Sequence, residues 1–258
     1  MGDLGKRILS GAIGLILLII VIFIGGIPLN IAIICLSLIS LFELFRAINK
    51  IGFKPIYIVA YIATLLIYLR VSYADLTMNF IITLFIVLLL SLTVLLKNKN
   101  LIDVSLTLLG ILYIPFLLSF LVYLDGTKFI WIIFSIAFGT DTFAYLIGSK
   151  IGKHKLCPTI SPKKSVEGAI GGVIGSIIVT SIYCYIQGIG PWWSVLILSI
   201  IGSIASQLGD LTASRIKRYT GIKDFGKIMP GHGGMLDRFD SIIFASPVVY
   251  YYVAYFLM

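Results

Sequence analysis

Apolar residues in this chain gather into long, nearly uncharged runs instead of alternating or marking one face of an amphipathic helix. A helix crosses about 30 Å of hydrocarbon with about 20 such residues, at about 1.5 Å per residue. Read from charge to charge, the runs predict nine spanning helices. They lie near 8–24, 27–45, 56–72, 79–96, 104–124, 129–149, 168–188, 191–212 and 241–258. The first follows Lys6 and Arg7 as the core of a signal peptide would, but Gly25-Gly26-Ile27-Pro28 passes straight into the next run. Without a small-residue cleavage site it reads as a retained helix. Two polar stretches, 150–167 and 213–240, interrupt the second half. The expected fold is all-α: a polytopic integral membrane protein with about nine transmembrane helices and two polar cytoplasmic loops. It forms a single membrane domain, with plain N-terminal transmembrane helices over 1–128 and the chemistry over 129–258.

Composition agrees with that pattern. Of 258 residues, 59% are hydrophobic and 12% charged, against about 25% charged in ordinary globular domains; the mean hydropathy is +1.09. A disordered chain is excluded, and an ordinary soluble domain would lack the polar surface to stay in water. Twenty Lys and Arg face eleven Asp and Glu, for a net charge of +9. Nucleic acid would explain the charge but not the apolarity. Threading nine spans puts eighteen of the twenty cations on one side, leaving Arg70 and Lys128 on the other. That bias places the N-terminus and both polar loops in the cytoplasm and the C-terminus outside, in the cell membrane. Cys35 and Cys184 lie in apolar runs and read as small buried hydrophobes, and no cysteine has metal-ligand spacing.

Acids within or beside spans are costly and call for a partner or a task. Asp141 ends the uncharged run 129–140, and Asp210 ends the run 191–209. Asp237 and Asp240 are spaced i, i+3, which puts them on one face of a helix. With Asp210 they could surround a hard divalent cation, and magnesium suits a few carboxylates completed by phosphate and water. His232 has no His or Cys companion at ligand spacing, which argues against zinc. Pro230-Gly231-His232-Gly233-Gly234 is a turn whose N–H groups can approach an anion. Ser165 is placed to cap the helix that follows it, where two lysines and the helix dipole favour phosphate. Gly168 with Gly172, and Gly171 with Gly175, read as small-xxx-small pairs for close helix packing. A carboxylate cluster facing basic loops suggests phosphoryl or nucleotidyl transfer to a lipid.

These residues carry a resemblance. Ser214-Arg215-Ile216-Lys217-Arg218, Lys223-Asp224, Pro230 to Gly234 and Asp237-Arg238-Phe239-Asp240 resemble the signature of the phosphatidate cytidylyltransferases. Asp141 to Tyr145, Gly152-Lys153-His154-Lys155 and Ser161-Pro162-Lys163-Lys164 with Glu167-Gly168 resemble further motifs of that family. The resemblance is strong over 141–168 and 206–241 and elsewhere extends only to apolar spans. It departs at Ala213, where many members carry glutamate. It implies CTP and phosphatidic acid as substrates, CDP-diacylglycerol and pyrophosphate as products, and Mg²⁺ held by Asp210, Asp237 and Asp240. Those acids with Lys217, Lys223 and His232 would form the catalytic set. Ser161, Lys163, Lys164, Ser214, Arg238, Gly233, Gly234 and Asp141 would contact substrate. It further implies a potassium ion beside the magnesium and a homodimer, with no nucleic-acid partner. Two rivals make different demands: an enzyme for ether-linked lipids would differ in its bilayer-facing groove, and a transporter would need its acids near mid-bilayer.

Overall fold

Among the described residues, the nine apolar runs are mainly helical, as hydrocarbon requires of a backbone that must satisfy its own N–H and C=O groups. The computed structural model describes residues 3–72, 77–95, 100–228 and 233–257. Among the described residues six helices are long and apolar enough to cross a membrane: Gly26–Asn49, Leu101–Tyr123, Ile130–Ile151, Val166–Ile186, Trp192–Tyr219 and Leu236–Phe256. Gly11–Ile24, Tyr57–Arg70 and Met78–Thr93 are shorter apolar helices. The chain divides into two compact units, Met1–Asp125 with Tyr219–Arg238, and Gly126–Arg218 with Phe239–Met258.

The first unit contains α1 (Asp3–Ile24), α2 (Gly26–Asn49), α3 (Tyr57–Ser72), α4 (Met78–Leu95), α5 (Leu101–Ile111) and α6 (Leu117–Tyr123). Helix α2 supplies much of the core through Leu29, Ile33, Leu41, Leu44 and Phe45. Gly110 on α5 leaves room for the Phe45 ring, whose Cζ would lie 2.8 Å from any added Cβ. Helices α5 and α6 are joined by one π turn, Leu112–Phe116, which contains Pro115. Proline has no N–H to donate, and the wider turn accommodates it. Buried Tyr68 donates to the Pro115 carbonyl at 3.2 Å and also bonds Ser37 Oγ at 2.8 Å.

The second unit contains α7 (Ile130–Ile151), an antiparallel hairpin of β1 (Lys155–Cys157) and β2 (Ser161–Ser165), α8 (Val166–Ile186), α9 (Trp192–Tyr219) and most of α10 (Leu236–Phe256). Its helices turn their small and polar residues inward. On α8 the buried positions are Gly168, Gly171, Gly172, Gly175, Ser176, Thr180 and Cys184, while Ile170, Ile174, Ile178 and Ile182 form an exposed stripe. Helix α9 repeats the scheme, burying Ser199, Gly202, Ser203 and Ser206 and exposing Ile197, Ile201, Ile204 and Leu208. A lipid-facing protein has this distribution, because lipid tails solvate isoleucine as well as a core would. An added Cβ at Gly172 would fall 3.0 Å from the Thr140 carbonyl, and one at Gly148 would fall 3.3 Å from the Gly168 Cα. The glycine pairs therefore serve close α7–α8 packing. Hydroxyl and amide groups then link the helices: Thr140 Oγ1 donates to Ser203 Oγ at 2.8 Å, and Gln207 Nε2 donates to the Ala169 carbonyl at 3.1 Å.

The structure departs from expectation in three places. Residues 213–219, expected in a loop, continue α9 to Tyr219. The apolar run stops at Asp210, but Thr212 to Arg218 contains no Gly or Pro to break the helix. Within the 150–167 stretch, Lys155–Ser165 forms an ordered hairpin, not only a loop. Cys35 is exposed, whereas Cys184 is buried as expected; a small hydrophobe is as well placed on a lipid-facing surface as in a core.

Candidate active site

In the second unit, Asp210, Ser214 and Lys217 follow one another at i, i+4 and i+7 on α9, which aligns them on one face. Ser214 Oγ donates to Asp210 Oδ1 at 3.4 Å. The other oxygen of Asp210 is ion-paired with Lys164 Nζ from β2, each side chain being less than one-third exposed. Beside Asp210, Gly209 lets α10 approach so closely that an added Cβ would strike the Asp240 carbonyl and lie 3.2 Å from Phe244 Cβ. That approach brings Asp240 up to Asp210. Asp240 is 7% exposed and accepts the Ser241 N–H at 2.8 Å. It lies within electrostatic reach of Asp210, Lys217 and Asp141. Ser241 Oγ donates to Asp141 Oδ2 at 3.4 Å, tying α10 to α7.

The hairpin that delivers Lys164 is fixed at several points. Ser165 caps α8 by accepting the Gly168 N–H at 3.1 Å, as its position before the helix predicts. Glu167 accepts the backbone N–H of Lys153 at 3.1 Å and contacts His154 Nδ1 at 2.6 Å. Arg218, at the end of α9, donates from Nε to the Ile160 carbonyl at 3.1 Å. Ser161 is half-buried at the start of β2, and Lys163 is exposed. Of the expected residues, the structure thus gathers Asp141, Asp210, Asp240, Ser214, Lys164 and Lys217. Ala213, where the resemblance leads to an expectation of glutamate, is fully buried on α9.

In the first unit, Lys223 and Arg238 are exposed, and Gly233 has φ +86°, a conformation that favours glycine. Asp237, in the first turn of α10, accepts the N–H groups of Phe225 at 2.8 Å and Gly234 at 2.9 Å through Oδ2. One carboxylate oxygen therefore joins Phe225 to Gly234. His232 lies outside the described residues. Glu43 on α2, which sequence reasoning missed, accepts from Met235 N at 3.1 Å and Leu236 N at 2.9 Å. Its signal was an acid inside an otherwise apolar run, the same cost that singled out Asp141 and Asp210.

The donor chemistry fits magnesium. Asp210 and Asp240 offer hard carboxylate oxygens, and Mg²⁺ commonly takes one or two of these with phosphate and water completing its shell. Among the described residues no three His, Cys, Asp or Glu side chains form a ready-made cage. A metal held here would draw part of its shell from substrate oxygens.

The family model described as "Cytidylyltransferase family" matches residues 5–256. The chain is 39% identical over 252 residues to the phosphatidate cytidylyltransferase of Staphylococcus haemolyticus (strain JCSC1435), covering 94% of this chain and 96% of the relative. It is 34% identical over 271 residues to the protein of that name from Bacillus subtilis (strain 168), covering 99% of this chain and all of the relative. The one from Staphylococcus aureus (strain COL) is 38% identical over 258 residues, with 94% and 96% coverage.

Proposed function

The chain belongs to the cytidylyltransferase family, and on that premise we propose that it transfers the cytidylyl group of CTP to phosphatidate, forming CDP-diacylglycerol and pyrophosphate. The observation that carries this reading is the grouping of Asp210, Asp240 and Asp141 with Lys164 and Lys217, which joins hard oxygen donors to phosphate-binding cations.

A phosphate oxygen of phosphatidate attacks the α-phosphorus of CTP; the new P–O bond forms as the bond to the β-phosphate oxygen breaks, and pyrophosphate leaves. The attacking oxygen is already anionic at neutral pH, so no side chain need act as a strong base. The work of the protein is to align the two phosphates and to offset charge on the leaving group. Lys163, Lys164, Lys217, Lys223 and Arg238 are assigned as phosphate-binding cations, and Gly233 and Gly234 as positions where the backbone can approach an anion. Ser161 and Ser214 add hydroxyl contacts, and Asp141 positions Ser241 on α10. His232 is assigned as a hydrogen-bond donor of the glycine turn. Asp210 and Asp240, with Asp237, would hold Mg²⁺, which when bound supplies Lewis-acid stabilisation of phosphate charge. A potassium ion beside it and a homodimer belong to the same reading and are supported by the family resemblance.

The cation distribution along the sequence supports nine spans in the cell membrane, with the N-terminus and active-site segments cytoplasmic and the C-terminus outside. Purified protein in lipid, given CTP, phosphatidic acid and Mg²⁺, should release pyrophosphate in step with CDP-diacylglycerol. No phosphatidate-dependent release at saturating Mg²⁺ would refute the activity, and a strong preference for ether-linked phosphatidate would reassign the lipid.

A further inference from the structure

Glu43 is a carboxylate in the half of the chain that carries no motif, and only 1% of it is exposed. A leucine would cross the bilayer as well and would spare the desolvation cost of a buried acid. Both oxygens are spent on the backbone, Oε1 on the N–H of Met235 at 3.1 Å and Oε2 on that of Leu236 at 2.9 Å. These groups open α10, where a helix has unpaired donors and the positive end of its dipole. Glycines meet the same carboxylate from two directions. An added Cβ at Gly234 would lie 2.5 Å from Oε2, and one at Gly226 would strike Oε1. One turn along α2, Arg46 donates from Nη2 to the Phe225 carbonyl at 2.8 Å. Glu43 and Arg46 therefore grip Phe225-Gly226 and Gly234–Leu236, the two arms that Asp237 also joins.

We propose that Glu43 is a positioning residue that holds Phe225-Gly226 and Gly234–Leu236 in the conformation that receives the phosphates of CTP. It is buried against backbone and does not itself meet substrate. The inference rests on the assignment of Lys223, Gly233, Gly234 and Arg238 to CTP. If the clasp sets the fraction of enzyme with the two arms in place, loosening it weakens apparent CTP affinity by that fraction. Saturating CTP restores the arrangement, so turnover at saturation is largely kept.

Glu43→Gln replaces one acceptor oxygen with an N–H₂ group facing a backbone donor. Hydrogen exchange at the Met235 and Leu236 amides should accelerate about tenfold or more in the substrate-free variant, while the amides of α2 stay protected. The KM for CTP should rise about tenfold, with kcat within about threefold and the KM for phosphatidate unchanged. Gly226→Ala pushes on the same carboxylate and should reproduce the pattern, which keeps the test open if one variant fails to fold. Unaltered exchange at Met235 and Leu236 in a folded variant overturns the clasp, and so does a fall in kcat at saturating CTP with KM unchanged. Faster exchange with an unchanged KM for CTP also overturns the proposal. If Lys223→Ala then leaves that KM unchanged, the fault lies in assigning the loop to CTP; if Lys223→Ala raises it, only the role of Glu43 fails.

Discussion

Asp210 and Lys164 form an ion pair between α9 and β2 at the centre of the second unit's polar cluster. A pair that serves only to join two elements has a recognisable signature: removing one partner strands a charge, whereas removing both is often nearly neutral. If each side chain also meets the reacting phosphates, the two losses compound. Asp210→Asn should lower kcat by on the order of a hundredfold or more, and Lys164→Met should raise the KM for CTP. The double variant should be no better than Asp210→Asn. Steady-state kinetics on the four proteins checks this, and recovery toward the parent rate in the double variant would mark the pair as structural. Asp210 and Lys164 were legible in the sequence because they sit in motifs at fixed spacing. Glu43 was not, since its partners lie 192 and 193 residues away and a lone acid in an apolar run names none of them.

At the level of elements, the α7–α8 pair is the scaffold on which Asp141 and the Lys164 hairpin sit. Gly175 on α8 packs against the Phe143 side chain on α7, and a methyl group at Gly175 would overlap that ring. Gly175→Ala should therefore cost about 1–3 kcal/mol of stability through overpacking. Ile174→Ala, on the exposed stripe next to it, should cost much less. Thermal unfolding in one detergent separates them, and equal losses would contradict the inward role of the glycines. Helix positions were legible because a run of apolar residues long enough for the bilayer has few other uses. Helix ends were not: α9 continues nine residues past Asp210, where only the absence of breakers marks it. The hairpin was also hidden, since Ser161-Pro162-Lys163-Lys164-Ser165 contains no β-branched or aromatic residue, and Pro162 fits a strand that lacks a neighbour on one side.

For the molecule as a whole, the proposed function gives the excess of cations two uses, as a topology signal and as a source of phosphate ligands. Eleven of the twenty Lys and Arg fall in 150–167 and 213–240, and seven more fall in the other segments assigned to the cytoplasm. These two uses coincide only if the chain is threaded so that CTP, a cytoplasmic nucleotide, reaches the basic segments. A thiol reagent that cannot cross the membrane tests that threading directly. With Cys35 and Cys157 replaced by serine, Lys227→Cys should resist labelling in intact cells and react once they are opened. Lys128→Cys should react from outside, since Lys128 lies in a segment assigned to the opposite face and its side chain is exposed there. External labelling of Lys227→Cys would invert the topology and leave the phosphate-binding lysines on the wrong side of the membrane for their nucleotide.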